Sequence, residues 1–247
     1  MSDRNGDTIV RIFSAKACAA PLEKAAALFE EQTGIKIEIS VCSRHCAKPE
    51  AEEADAESAG DDFLLEISDA GIHDLAIAGA EYLLDDGQVR GIVKKGKRRT
   101  IACRTSAIIV PAGNPKNIQS IEDLTRPDVR LAVSVLDCLK GLWEDIAGRL
   151  GLLEAISSNI GYYANGCVAI VEAVATAEVD AAIGWTAFKH LEPGRVEVIE
   201  LPKDQQVARG TCVGMLSFCK EVEPAEKFMN FLASEDSRKF YRELGWI

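Results

Sequence analysis

The sequence lacks any apolar run of about 18 residues or more, the length that a helix needs to span a bilayer, so we expect no transmembrane helix. It also lacks an excess of positive charge. With 28 Lys and Arg against 39 Asp and Glu, the formal net charge is −11. Nucleic-acid binding depends on a basic surface that contacts phosphates, so we expect no nucleic-acid partner.

The N-terminal residues lack the pattern of a secretory leader. Residues 1–7 are polar and lead directly into an apolar segment, without a basic region followed by an apolar stretch. This pattern favours a cytoplasmic location. The alternative is an extracytoplasmic protein from which a leader has been removed.

Cysteine, by contrast, is abundant for a chain that shows no secretion signal. The eight residues are Cys18, Cys42, Cys46, Cys103, Cys138, Cys167, Cys212 and Cys219. An even number indicates disulfides in a small secreted protein, but 247 residues are enough for a large core. In a reducing compartment such thiols are more often inert core residues or metal ligands.

Apolar patterns of strand and helix type alternate along the chain, which is typical of α/β proteins. Ile9–Phe13 and Ile35–Ile39 are predicted strands, and the helix between them ends at Gly34. The residues from Ser120 to Asp123 match a capping box and predict a short helix. Further predicted strands are Phe63–Ile67, Arg98–Pro111, Leu131–Val135, Ala181–Trp185, Val196–Leu201 and Cys212–Phe218, and further predicted helices are Leu139–Leu150, Cys167–Ala177 and two between Pro224 and Leu244.

Several segments, taken in this order, resemble the type II periplasmic-type solute-binding proteins, and among them the molybdate/tungstate-binding branch. The segments are Ile12–Ala15 with Pro21–Glu23, Ile109–Pro115 with Ile121–Leu124, Glu178–Trp185, and Ala225–Phe231 with Gly245-Trp246. The resemblance implies two α/β lobes, each a mixed and mainly parallel sheet flanked by helices, with a ligand cleft between them. Lobe 1 would comprise residues 1–106 and 208–247, and lobe 2 residues 107–207. It also implies a protein that binds a ligand without catalysis.

The chain departs from this family at the loops expected to hold the ligand. The first loop contains Lys16 and Cys18, and residues 42–46 (Cys-Ser-Arg-His-Cys) replace a loop rich in glycine and serine. Asp137 lies where the tungstate-binding proteins have a ligating aspartate, whereas Gly184 occupies the position of the matching glutamate.

Five cysteines are placed where they could meet in the predicted cleft. Cys18, Cys138 and Cys167 each lie in a loop that begins a helix, at the end of a strand where open α/β sheets bind ligands. A helix N-terminus favours the thiolate form, which binds soft metals. Cys42 and Cys46 would come from a further loop at the same edge. The alternative is that each cysteine is a small buried apolar residue.

Other residues could add to such a site or serve only structure. His45 lies between two cysteines, Cys103 and Cys212 lie on the two predicted crossing strands, and basic side chains could balance an anionic ligand. The additional candidates are His45, Cys103, Cys212, Asp137, Lys16, Arg44, Lys140 and Arg209.

These patterns leave three functions open. The first is a carrier that holds a thiophilic metal, a metal–sulfur cluster such as an iron–sulfur cluster, or a thiometallate through cysteine thiolates, and serves a metalloenzyme assembly complex. The second is a molybdate or tungstate oxyanion receptor for an ABC importer. The third is a thiol-based redox catalyst, for which only residues 42–46 offer a nucleophile and a base.

Overall fold

The computed structural model describes residues 8–42 and 63–247, which form an α/β fold with helices packed on a mixed sheet. The strands are β1 Ile9–Ser14, β2 Lys36–Val41, β3 Leu75–Ala78, β4 Val93–Pro111, β5 Leu131–Val133, β6 Ile160–Tyr163, β7 Ala181–Trp185, β8 Val196–Glu200 and β9 Ala208–Leu216. The helices are α1 Ala19–Thr33, α2 Phe63–Ala70, α3 Glu81–Val89, α4 Leu142–Leu150, α5 Leu153–Ser158, α6 Cys167–Ala175, α7 Val222–Leu232 and α8 Glu235–Glu243. Short 3₁₀ turns lie at Lys16–Cys18, Glu122–Thr125, Asp137–Leu139 and Thr186–His190.

The strand order is β2-β1-β3-β9-β4-β7-β5-β6, with β8 also paired to β4. The pairs β1–β2, β1–β3, β5–β6 and β5–β7 are parallel, and β3–β9 and the three pairs of β4 are antiparallel. The long strand β4 changes partners along its length. Its residues Val93 to Thr105 pair with β9, whereas Ser106 to Pro111 pair with β7 and β8. Thus β4 joins two sections of sheet.

Helix α1 shows how the sequence determines this packing. Leu22, Ala25, Ala26 and Phe29 recur at helical spacing, and all four are buried, as the apolar pattern predicts. The helix ends at Gly34, which has a φ of 72° and donates its N–H to the Glu30 carbonyl. A glycine there adopts the left-handed conformation without steric cost.

Two buried clusters form the core. One joins α1, α7 and α8 to the β1–β3–β9 section and includes Phe29, Phe228 and Tyr241. The other includes Ile146 of α4, Ile170 of α6 and the second half of β4. The second cluster also contains residues of β1, β3 and α3, so it extends along both sections of the sheet.

The prediction of a strand at Phe63–Ile67 is wrong, because these residues begin helix α2. The residues Phe63, Leu64 and Ile67 are buried at helical spacing. An apolar run of five residues fits either element, so periodicity alone does not decide between them. The capping-box segment folds as the short turn Glu122–Thr125, in which Asp123 accepts the Ser120 N–H at 3.1 Å. Strands β3 and β6 and helices α3 and α5 were not predicted.

Residues 245–247 form hydrogen bonds with both long strands, β4 and β9. The backbone N–H and C=O groups of Ile247 pair with those of Cys103 in β4, both at 2.8 Å. The Trp246 Nε1–H donates to Thr211 of β9 at 2.9 Å. The Gly245 carbonyl accepts the Thr186 hydroxyl at 2.8 Å. This segment therefore contacts both strands and the turn that follows β7.

We expect Gly245→Ala to destabilise the fold more than a glycine change at a solvent-facing turn. Gly245 has a φ of 93°, and an added Cβ would lie 3.2 Å from the Thr186 carbonyl oxygen and 3.3 Å from the Ala187 Cα. Gly194, with a φ of 77° and open space around its Cβ position, is the matched control. Chemical denaturation should show a loss of about 2–3 kcal/mol for Gly245→Ala and about 1 kcal/mol for Gly194→Ala. Equal losses would contradict the packing of this segment.

Candidate functional site

A buried arginine lies where β4 changes its partners. Arg104 pairs with Arg209 of β9, and two residues later Ser106 pairs with Trp185 of β7. The Arg104 side chain is fully buried. Burial of a charge is costly unless the charge is paired and hydrogen-bonded. The surroundings of this guanidinium therefore indicate what the site can bind.

Only part of the guanidinium is satisfied. Its Nη2 donates to the Gly79 carbonyl, and a further hydrogen bond links the guanidinium to the Cys138 thiol. Among the described residues, Nε and Nη1 have no hydrogen-bond partner. A Cβ at Gly79 would lie 2.6 Å from Nη2 and 3.2 Å from the Cβ of Cys138. A glycine is thus required for β3, Arg104 and Cys138 to approach this closely.

Three of the predicted cysteines surround Arg104. Cys18, Cys138 and Cys167 each interact electrostatically with the guanidinium, and Cys18 interacts with the other two. All three side chains are buried. They come from three segments far apart in the chain, namely two 3₁₀ turns and the first turn of α6. Their role as ligands stays a prediction.

Two of these thiols lie at the N-terminus of a helix. Cys18 precedes α1 and Cys167 is the first residue of α6, and neither helix has a side-chain cap at its N-terminus. The first turn of a helix carries N–H groups with no acceptor inside the helix and a partial positive charge. The turn at Lys16–Cys18 packs against α6, so these two termini lie near each other.

The expectation that the helix termini would favour thiolates is wrong for two of the cysteines. Burial raises the pKa of Cys18 from its ordinary 9.0 to about 12, although Arg104 lowers it. Burial likewise raises the pKa of Cys138, again against the effect of Arg104. Burial also acts to lower the pKa of Arg104, but Cys138 and Cys18 raise it, and the net shift is upward. At neutral pH the site therefore combines the positive charge of Arg104 with two neutral thiols, those of Cys18 and Cys138.

Tyr82 links α3 to the turn that carries Cys138. Its hydroxyl donates to the Asp137 carbonyl, and burial raises the pKa of the phenol. The guanidinium of Arg209 lies 6.0 Å from the Tyr82 ring centroid and forms a 3.1 Å ion pair with Asp145 of α4. Asp137 itself has a φ of 44°, the left-handed region that non-glycine residues rarely adopt. The hydrogen bond from Tyr82 to the Asp137 carbonyl holds the turn Asp137–Leu139 against α3.

The remaining predicted site residues have other contacts or lie outside the described residues. Cys42 is buried and its Sγ accepts the Lys16 N–H at 3.3 Å. The side chains of Lys16 and Lys140 are exposed. Cys103 pairs through its backbone with residue 247, and Cys212 contacts Thr100 Oγ1 at 3.6 Å, both away from the three thiols around Arg104. Arg44, His45 and Cys46 lie outside the described residues.

The described residues offer no group of three or more His, Cys, Asp or Glu side chains arranged to hold a metal ion. The three thiols share one neighbourhood, but a guanidinium lies among them. A cation placed there would meet the positive charge of Arg104 at short range in a poorly solvated interior.

Arg104, Trp185 and Tyr82 are not among the ligand-binding residues predicted from the sequence. A signal for Arg104 was present, because it is the only charged residue in the segment from Ile101 to Val110. A charged residue in the middle of a buried strand is rare unless it is paired. For Tyr82 no local pattern marks the hydroxyl, since its partner lies 55 residues away.

Comparison with solved structures shows the same fold over nearly the whole chain. A structure of PEB3 with bound L-phospholactate has a TM-score of 0.78 at 19% identity, over 96% of this chain and 98% of that chain. Another structure of Peb3 is from Campylobacter jejuni. The periplasmic molybdate-binding protein of Azotobacter vinelandii has a TM-score of 0.74 at 17% identity, with the same coverage.

The sulfate-binding protein SubI of Mycobacterium tuberculosis H37Rv has a TM-score of 0.77 at 14% identity, over 97% of this chain and 86% of that chain. At these identities the likeness concerns the fold. A comparison with curated protein sequences found no match. None of the helices in residues 8–42 and 63–247 has the length and hydropathy needed to cross a bilayer.

The family comparison extends to the sequence itself. The model of a family described as bacterial extracellular solute-binding protein matches residues 10–247. That range includes both sheet sections, the strand that joins them, and every residue around Arg104. This chain is therefore a member of the bacterial extracellular solute-binding protein family.

Proposed function

We propose that this solute-binding protein is a receptor for a small oxyanion of the molybdate/tungstate class, which it holds between two lobes and delivers to an ABC importer. The lobes would comprise residues 1–106 with 208–247 and residues 107–207. The observation that carries the proposal is the buried guanidinium of Arg104, with two nitrogen atoms that lack partners among the described residues.

An anion would satisfy what the protein leaves unsatisfied at Arg104. An arginine presents several N–H donors in a fixed planar arrangement that suits bidentate contact with oxyanions. The Gly79 carbonyl and the Cys138 thiol leave Nε and Nη1 free for a ligand. The N-termini of α1 and α6 would add a favourable field for negative charge. Local donors of this kind outweigh an unfavourable net charge of −11.

The position of Arg104 supports binding between lobes. Gly79 and Cys18 belong to the N-terminal part of the chain, and Cys138, Cys167 and Trp185 to the middle part. A ligand at Arg104 would therefore contact both parts at once. Such a site would couple binding to hinge closure, because a ligand stabilises the arrangement in which all its contacts form.

The protonation state of the thiols favours an anion over a bare metal cation. Metal binding requires thiolates, whereas burial raises the pKa of both Cys18 and Cys138. The names of three of the similar proteins agree with an anion, since they refer to molybdate, sulfate and phospholactate, whereas two others refer to iron and to thiamin. The fold by itself does not select among these ligands.

A thiometallate or an anionic metal–sulfur cluster is the second candidate. The observation in its favour is the presence of three sulfur atoms around Arg104. Polarisable sulfur suits a soft ligand, and negative charge on that ligand would be compatible with the guanidinium. A metalloenzyme assembly complex would then be the recipient in place of an importer.

Family membership also bears on location. The family is described as extracellular, which leans against the cytoplasmic location favoured by the N-terminal residues. We propose that the protein acts outside the cytoplasm. Sustained thiol turnover is not proposed, since membership of a solute-binding family supports binding and release.

Molybdate, tungstate and sulfate should each be tested for stabilisation of the protein by differential scanning calorimetry. We expect at least one to raise the unfolding temperature in a concentration-dependent manner, as mass action requires. Arg104→Met should weaken binding by about tenfold or more, because it removes charge-assisted hydrogen bonds. Arg195→Met is the matched control, because Arg195 is exposed and pairs with Glu192. Absence of stabilisation by all three anions would overturn the proposal.

Replacement of the three thiols distinguishes the two candidates. For an oxyanion receptor, the variant with Cys18→Ser, Cys138→Ser and Cys167→Ser should keep its molybdate affinity within a few-fold, since neutral thiols are weak donors. Cys219→Ser is the control, because Cys219 lies beside Asp74. Isothermal titration calorimetry with molybdate and with tetrathiomolybdate measures both affinities. Tight binding of tetrathiomolybdate alone, lost in the triple variant, would favour the second candidate.

The pH dependence of stability tests whether Cys18 is a thiol. The pKa of Cys18 rises from 9.0 to about 12 on folding, so the folded protein keeps a proton that the unfolded chain loses. Its contribution to stability should be complete below pH 9 and fall between pH 9 and 12. Denaturation across this range should show a shallower decline for Cys18→Ser. A Cys18-dependent thiolate absorbance at neutral pH would contradict this protonation state.

A further inference from the structure

Trp185 lies directly against the proposed ligand-binding arginine. It is the last residue of β7, and its backbone pairs with Ser106, two residues beyond Arg104. The Cζ of Arg104 lies 4.9 Å from the centroid of the indole ring. Both side chains are fully buried. The indole ring therefore covers one face of the guanidinium, whereas the N–H groups at the edge of the guanidinium can contact other groups.

The indole N–H of Trp185 has no acceptor among the described residues. Indole nitrogen is a donor only, and a buried donor without an acceptor is destabilising. A phenylalanine would cover the guanidinium equally well without this cost. Trp185 thus carries a polar group that the described protein atoms do not use.

Three N–H-bearing atoms of this pair have no hydrogen-bond partner among the described residues. They are Nε and Nη1 of Arg104 and Nε1 of Trp185. The contact between the guanidinium and the indole ring places these atoms in one neighbourhood. A tetrahedral oxyanion presents oxygens in several directions, so it can accept hydrogen bonds from both side chains at once.

We propose that Trp185 is a ligand-binding residue, which donates its indole N–H to the oxyanion while its ring holds the Arg104 guanidinium in place. This inference rests on the proposed function, since it needs an anion at Arg104. It adds a neutral, donor-only group to the site, so the ligand must present an unprotonated acceptor there.

Trp143 provides a matched control within the same chain. Its Nε1 is also buried without a partner in the described part of the protein. It lies in α4, whereas the ring that the Arg104 guanidinium covers is that of Trp185. An unpartnered indole N–H is therefore a shared property of the two residues, and the contact with Arg104 is what distinguishes them.

The test compares Trp185→Phe with Trp143→Phe by isothermal titration calorimetry, with molybdate, tungstate and sulfate as probes. Phenylalanine keeps an aromatic face for Arg104 and removes the N–H together with part of the buried ring volume. We expect Trp185→Phe to weaken binding of the anion that stabilises the wild type by about tenfold. The lost ring volume should lower the unfolding temperature of the unliganded variant, so affinities are compared at a temperature where both proteins are folded, and Trp143→Phe should bind as the wild type does.

A second measurement detects the hydrogen bond of the indole N–H directly and does not depend on a change in affinity. In ¹⁵N-labelled wild-type protein, the indole resonance absent from Trp185→Phe identifies Trp185. Addition of the same anion should move this resonance in the direction of a stronger hydrogen bond and leave that of Trp143 in place. If Trp185→Phe fails to fold, a resonance assigned by selective labelling decides the question alone.

The outcomes separate the inference from the function on which it rests. Unchanged affinity in Trp185→Phe and an unmoved indole resonance, together with weaker binding in Arg104→Met, would assign Trp185 to the core and leave the receptor function intact. Failure of the wild type to bind any of the three anions would remove both proposals.

Discussion

The structure depends on a positive charge placed where water cannot reach it. The guanidinium of Arg104 is fully buried between two sections of the sheet. In such a position an unpaired charge would cost several kcal/mol, so neighbouring groups must compensate for it. The Gly79 carbonyl, the three thiols and the face of Trp185 do so in part. Under the proposed function, the two guanidinium nitrogens that have no partner among the described residues would contact the anion.

The same constraint explains why the thiols do not act as the sequence suggested. A helix N-terminus and an adjacent arginine both stabilise a thiolate, and Arg104 does lower the pKa of Cys18 and Cys138. Burial acts in the opposite direction and outweighs it. The result is a site in which the charge of Arg104 lies near the neutral, polarisable thiols of Cys18 and Cys138. Under the proposed function, such a site would select a ligand by its charge before its softness.

Under the proposed function, ligand binding and hinge closure would both act on β4. Arg104 lies one residue before the point at which the strand exchanges β9 for β7 and β8, and residues 245–247 contact β4, β9 and the turn after β7 nearby. A ligand at Arg104 and the packing of the C-terminal residues would therefore act on the same strand. The Tyr82 hydroxyl adds a contact between α3 and the turn at Asp137. Opening of the two sheet sections would have to break these contacts together.

Much of the fold followed from local patterns. The helix at Ala19–Thr33, the strand at Ala181–Trp185 and the helix beginning at Cys167 were predicted because their periodicity and end signals lie within a few residues of each other. Helix α2 was mistaken for a strand, since its apolar run is too short for its period to be read. For the site, the convergence of Cys18, Cys138 and Cys167 could be inferred from their positions before helices. The central Arg104 was missed, because an arginine in a strand is usually exposed.

By itself the sequence determined the order of the elements, the family likeness and the placement of three cysteines at the starts of helices or turns, because these properties reside in neighbouring residues. The tertiary structure decided which charge is buried, which N–H groups lack acceptors and whether a thiol keeps its proton. Those properties depend on solvent exclusion and on contacts between residues far apart in the chain, such as Gly79, Arg104 and Cys138. Apart from the single charge within residues 101–110, local patterns do not encode these properties, since each arises only when separate segments exclude water from the same small volume.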